Sequence, residues 1–222
     1  MKKTLLSLTM ALLATVAFGQ IEQGTKFLGG TFGFSSGSSE TTVAGQTSDG
    51  PERSMFEIAP SFGYMVSDNI GVGLRVGISS MTETETFTDF SDPLNPIEVE
   101  EEDQTSETAI GFFGRYYAPV AGDALFFHVD LGVDIGFGTE TNTVSPAGGP
   151  STETELDLNS LRIGLTPGFD YFLGEKWAIE ANWGFLGYTS RGTETDNFES
   201  SSNSLDIGVD FTAFNVGARW YF

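Results

Sequence analysis

One histidine, His128, stands in a chain of 222 residues that has no cysteine. Hydrolytic or transfer chemistry would need a hydroxyl nucleophile within reach of that imidazole. The nearest group on its own face of the chain is Asp130, and no spacing singles out Ser61, Ser79 or Ser160 as the nucleophile. No His-Glu-x-x-His segment occurs, so a zinc-protease helix is not indicated. Glu98, Glu100, Glu101, Glu102 and Asp103 supply the oxygen ligands that Ca²⁺ takes, but without EF-hand spacing. They read as a solvated loop. No enzymatic activity, metal or cofactor is expected.

A second set of polar residues follows a rule. Glu57, Arg75, Arg115, His128, Asp130, Asp134, Arg162, Asp170, Glu180 and Arg219, with Asn182 and Asn215, each occupy an alternate position of an otherwise apolar segment. In an extended chain, alternate residues share one face. These groups should therefore meet on a common side, where opposite charges must pair, because isolated buried charges are costly. The bland role is a packed ion network that stiffens an interior; the functional one is a narrow pore or a gate whose pairs exchange partners.

The elements that carry them are strands. Ile70, Val72, Leu74, Val76 and Ile78 alternate with Gly71, Gly73, Arg75, Gly77 and Ser79. Leu125, Phe127, Val129, Leu131, Val133, Ile135 and Phe137 alternate with Phe126, His128, Asp130, Gly132, Asp134 and Gly136. A helix would instead repeat at three and four. Six further segments alternate similarly: Leu28–Phe34, Phe56–Val66, Ile110–Tyr116, Leu161–Tyr171, Trp177–Phe185 and Phe214–Phe222. Their apolar sets, in which Phe185 is counted, contain no charge. An arginine or lysine facing mid-bilayer lipid would cost about 2–4 kcal/mol, so a charge-free stripe is what a lipid-facing wall requires.

The connections alternate in length. Those at 67–69, 120–123 and 174–175 are tight, whereas those near 37–52, 83–105, 140–155 and 190–203 are long and hold 18 acids against one base, Arg191. Short turns at one end and long polar loops at the other suit a membrane barrel. IAPSFGYMVSDNIGVGLRVG (58–77) and LTPGFDYFLGEKWAIEANWG (165–184) repeat one hairpin design. Pro60 and Pro167, matched in it, suggest a shared bulge or kink. In the last segment the apolar phase flips: Leu205, Ile207, Val209 and Phe211 stand opposite to Phe214, Val216 and Trp220. Either a bulge near Thr212 or an apolar upper interior would account for this. Tyr64, Tyr116, Tyr117, Tyr171, Phe172, Trp177, Trp220, Tyr221 and Phe222 gather near the tight turns as an interfacial girdle. A soluble sandwich has no need of one; a lipocalin-like barrel is the stronger soluble rival.

The first residues differ from the rest. Lys2 and Lys3 precede an uncharged, mostly apolar run, Leu5–Val16, and Ala17 and Gly19 place small residues before Gln20. This reads as a signal peptide, residues 1–19, cleaved after Gly19. It is too short to span a bilayer as a helix. The formal net charge is −21, which repels nucleic acid.

Residues 20–222 resemble the small eight-stranded outer-membrane β-barrels, the OmpA-like, OmpX-like and OmpW-like porin family. The resemblance rests on eight alternating segments, three tight turns, four polar loops and the terminal pattern Phe214-x-Val216-x-Ala218-x-Trp220-x-Phe222. It implies a closed up-and-down barrel among outer-membrane lipids, reached by signal-directed secretion. It also implies that Phe214, Val216, Trp220 and Phe222 are read by the barrel-insertion machinery. No peptidoglycan-binding domain follows, so a cell-wall tethering role is not implied. A structural or narrow-pore role with a charged lumen leads; surface adhesion through the acidic loops, to an unknown ligand, is the alternative.

Overall fold

The computed structural model describes residues 21–43, 46–90, 96–121, 124–195, 198–208 and 214–222. The leader assigned to residues 1–19 lies outside them. Every regular element described is a β-strand: β1 (Lys26–Val43), β2 (Gln46–Ser67), β3 (Ile70–Asp89), β4 (Ile97–Ala121), β5 (Leu125–Pro146), β6 (Thr152–Phe172), β7 (Trp177–Trp183), β8 (Phe185–Thr195), β9 (Phe198–Gly208) and β10 (Phe214–Tyr221).

Neighbouring strands pair antiparallel from β1 to β7, and β10 pairs with both β7 and β1. Eight strands thus close a ring. Its seam is tied at the chain end, where Lys26 and Phe222 exchange backbone hydrogen bonds of 2.8 and 2.9 Å. Above the ring, β8 continues β7 along β6, and β9 pairs with β8. A closed ring leaves no pair of facing sheets, which rules out the sandwich.

Register sets the shape of the barrel. A walk along paired residues runs Phe169, Ala181, Val216, Phe32, Ile58, Ile78, Thr108, Phe137 and Asn159, returning to β6 ten residues from its start. Ten residues at about 3.3 Å against eight spacings of about 4.8 Å give a strand tilt of about 40° and a backbone diameter of about 16 Å.

The outer surface inverts the burial of a soluble protein. Phe112 is 67 % exposed, Leu131 58 % and Ile110 55 %, whereas Arg115 and Arg219 on the inner face are each 2 % exposed. That inversion excludes the lipocalin-like reading. From Leu125 to Phe137 the apolar band of β5 covers about 30 Å of height at that tilt, the thickness of a bilayer hydrocarbon core. Above it the same face turns polar, to Thr139 and Thr141 on β5 and to Thr108, Ser106 and Gln104 on β4.

The long connections differ from the expected loops. They are largely strand: β3 and β4 stay paired from Ile78–Thr108 up to Asp89–Ile97, and β5 and β6 up to Val144–Thr152. Their alternating Thr, Ser and Val favour extended pairing, so the acids stand on a ladder that rises above the apolar band. The prolines are not a matched bulge. Pro60 lies in a two-residue gap of the β2–β3 ladder with register unchanged on either side. Pro167 lies where β6 exchanges β7 for β8 across Gly184, an extra residue at φ 70°.

Gly184 also corrects one outward assignment. The extra residue flips the phase of its strand, so Trp183 stays on the outer face and Phe185 turns inward under Arg162. In the last segment, whose apolar phase flips, Leu205 pairs with Tyr188 on the outer face and is 69 % exposed, so it lines no upper interior. Val209, Phe211 and the bulge expected near Thr212 lie outside the described residues.

Candidate functional site

The lumen is layered. At the short-turn end, Phe27, Met65, Phe113, Tyr117, Phe126, Phe172 and Tyr221 fill it with Ile21 from the preceding segment. Phe27 and Tyr221 are 5.8 Å apart between ring centres, Phe172 and Tyr221 5.1 Å, and the Tyr117 and Tyr221 hydroxyls meet at 3.0 Å. Glycine makes the space: a Cβ at Gly63 would overlap the Phe27 ring.

This packing corrects the girdle. Tyr64, Tyr116, Tyr171, Trp177 and Phe222 do face outward, and Trp220 stacks between Trp177 and Phe222. Tyr117, Phe172 and Tyr221 are buried inside. Each belongs to an aromatic doublet, and a period of two sends the second ring to the opposite face.

Above the plug lies one ion cluster. Arg115 donates to both oxygens of Asp130, at 2.5 and 2.7 Å, to Glu180 at 2.8 Å and to Asp170 at 3.4 Å. Arg219 donates twice to the other Glu180 oxygen, at 2.9 and 2.5 Å. Asn182 donates Nδ2 to Glu180, which leaves its Oδ1 to accept from His128 Nε2 at 2.7 Å. His128 Nδ1 lies 3.0 Å from Asp170 Oδ2. Two guanidiniums thus face three carboxylates. Gly168 leaves room here, since a Cβ would overlap His128 and Asn182. The plug and the cluster are coupled, with the Arg219 guanidinium 4.7 Å from the centre of the Phe27 ring.

Higher up the packing opens. A cavity of about 590 Å³ has Arg115, Asp130, Glu180 and Arg219 at its floor and reaches Glu107 and Arg191. An eight-stranded interior is just wide enough for side chains to fill it, but this lumen carries small residues at Ala59, Ser61, Gly77, Ala109, Ser160 and Gly184. Arg75 pairs with both oxygens of Asp134 at 2.6 and 2.5 Å across its wall. Near the top, Glu107 accepts from Ser160 at 2.5 Å and from Arg191 at 3.3 Å. Glu57 accepts from Asn215 at 3.4 Å. Arg162 stacks on Phe185 at 4.4 Å and forms no ion pair among the described residues.

Residues 4–222 match the family described as outer membrane protein beta-barrel domain. The chain belongs to that family. It is thus an outer-membrane barrel, the fold its register shows. Solved structures similar to it include OprG of Pseudomonas aeruginosa, 15 % identical with a TM-score of 0.47, covering 90 % of this chain and 97 % of that one. Outer membrane protein W of E. coli is 16 % identical with a TM-score of 0.37, covering 90 % and 99 %. Ail of Yersinia pestis, solved in complex with the heparin analogue sucrose octasulfate, is 11 % identical with a TM-score of 0.39, covering 90 % and 99 %. No curated protein matches the chain.

Within this outer-membrane barrel, the charged residues singled out by alternation separate into groups. Arg115, His128, Asp130, Asp170, Glu180 and Arg219 meet in the floor cluster; Arg75 and Asp134 form a second pair; Glu57 and Arg162 join neither. Of the terminal pattern, Val216 and Phe222 face outward, and Phe214 pairs with Trp183 of β7. Sequence reasoning missed the aromatic plug, Phe185 and the trio Glu107, Ser160 and Arg191. The plug was visible in principle, because Phe27, Phe113 and Phe126 share the parity of the charges; reading that face for size as well as polarity finds it.

Proposed function

We propose that this outer-membrane barrel acts as a sealed structural wall element with a charged lumen and passes no solute in its resting form. The observation that carries the reading is the double closure at the short-turn end, in which an aromatic plug is backed by a fully buried ion cluster. Breaking a buried pair leaves an uncompensated charge in a low-dielectric interior, so the floor resists rearrangement. Residues 1–19 act as a leader removed on export. The alternate residues of the last strand, Phe214, Val216, Trp220 and Phe222, present the signal to the insertion machinery.

Planar-bilayer recording tests the sealed floor. The wild-type barrel is expected to show no resolved steps, whereas joint replacement of Phe27, Tyr117 and Tyr221 by serine gives steady conductance. An open wild-type channel sensitive to Arg75 or Arg115 substitution would establish the narrow pore instead.

A second reading has its own support. Glu98, Glu100 and Glu102 project from one exposed face of β4 above the apolar band, a repeated anionic ladder fit for a cationic surface partner. Loop-dependent attachment to cells, lost on replacing those three by glutamine, would favour adhesion.

A further inference from the structure

Among the described residues, the upper lumen holds a mismatch in charge. Along it, Arg75 has Asp134, Arg191 has Glu107, and Arg115 and Arg219 have the floor carboxylates. Arg162 has no carboxylate within ion-pair distance among the described residues, and Glu57 has only the Asn215 amide. Both line the cavity.

Register places the two opposite each other. Pairing carries Ile58 to Phe169 of β6 in one direction and to Asn159 in the other, four strands each way. The tilt is shared equally between the two half-circuits, so the midpoint, Gly164, is level with Ile58. Glu57, one residue higher, is level with Ile163, whose inward neighbour is Arg162. A carboxylate and a guanidinium thus stand at one height on opposed walls of a barrel about 16 Å across. They stay apart because Arg162 lies against the ring of Phe185, which Gly184 turns inward.

We propose that this level of the lumen is a binding site for a small zwitterion, its ammonium group on Glu57 and its carboxylate on Arg162. A simple anion would meet a chain of net charge −21 and be repelled on approach. A simple cation would leave Arg162 unmatched. A molecule carrying both charges feels little net field and satisfies both walls with charge-assisted hydrogen bonds. Arg162 needs no reordering to accept it, because the Phe185 face already fixes the guanidinium plane. The site does not rest on the sealed floor, since a solute entering from the long-connection end reaches it whether or not the floor opens.

Titration calorimetry on the full-length barrel refolded in detergent micelles tests the site. The probes are a ladder of unbranched ω-amino acids, namely glycine, 4-aminobutyrate and 6-aminohexanoate, with butylamine and butyrate as single-charge controls. One length is expected to bind saturably, about tenfold or more tighter than either control. Glu57→Gln and Arg162→Gln should each weaken it about tenfold or more, and the charge exchange Glu57→Arg with Arg162→Glu should restore it with the ligand reversed. Circular dichroism of each variant confirms that a loss is not unfolding. Absence of zwitterion binding to the wild type, equal binding of the controls, or unchanged binding in folded single variants would overturn the proposal. Conductance of the same preparation reports separately on the sealed floor.

Discussion

Glu180 is the residue on which the buried cluster turns. Its two oxygens are divided between Arg115 and Arg219, and Asn182 donates to it as well. Glu180→Gln keeps the volume and removes the charge, leaving two buried guanidiniums with one fewer anion. The expected loss of stability is about 3–5 kcal/mol, the cost of stranding buried charge. Asp134→Asn at the second pair should cost clearly less, because Arg75 and Asp134 keep 23 % and 14 % side-chain exposure and water takes over part of the lost contact. Urea titration of tryptophan fluorescence in lipid vesicles measures both. A Glu180→Gln loss no larger than that of Asp134→Asn would show that the cluster is better solvated than its burial indicates.

A single strand of this barrel changes its solvent twice, across its width and along its length. On the outer face of β5, Leu131 is 58 % exposed within the apolar band, while Thr139 stands two residues beyond its last member, Phe137. Leu131→Arg should therefore cost about 2–4 kcal/mol in a bilayer, and Thr139→Arg about 0–1 kcal/mol. The same vesicle titration separates them, and equal costs would misplace the membrane boundary. Period two alone was enough to read the strands and the lipid-facing stripe, because hydrocarbon tolerates no exception mid-band. Three things escaped it. An aromatic doublet such as Tyr116-Tyr117 looks the same to a composition count whichever ring faces lipid. The phase flip at Gly184 hides in an apolar sequence, since Trp183 and Phe185 suit either face until β6 fixes the register. And Thr- and Glu-rich connections read as loops, because polarity marks their surroundings rather than their backbone. Within the charged lumen, the parity of each residue was legible, but its partner was not. Arg75 bonds to Asp134 two strands away, a relation set by shear rather than by spacing in sequence.

At the scale of the whole molecule, a closed ring removes every free edge from the membrane layer, where an unpaired backbone group has no water to turn to. Closure depends on a single seam, between β1 and β10, whose residues stand at opposite ends of the chain. Phe32 pairs with Val216 there, both pointing outward. Partners across an antiparallel ladder lie about 4.5–5.5 Å apart, within the span that a disulfide bridges. The chain has no cysteine of its own, so Phe32→Cys with Val216→Cys places the only two thiols at the seam. Oxidation of the refolded barrel should then give a faster-migrating cyclic species on a denaturing gel. Phe32→Cys with Leu131→Cys, on the opposite wall, should give none. Heating in detergent before oxidation should abolish the crosslink, because only the ring brings the chain ends together. If the seam pair failed to crosslink in the refolded protein, the ring would be open, and the tilt, the diameter and the height assigned to every lumenal group would fall with it.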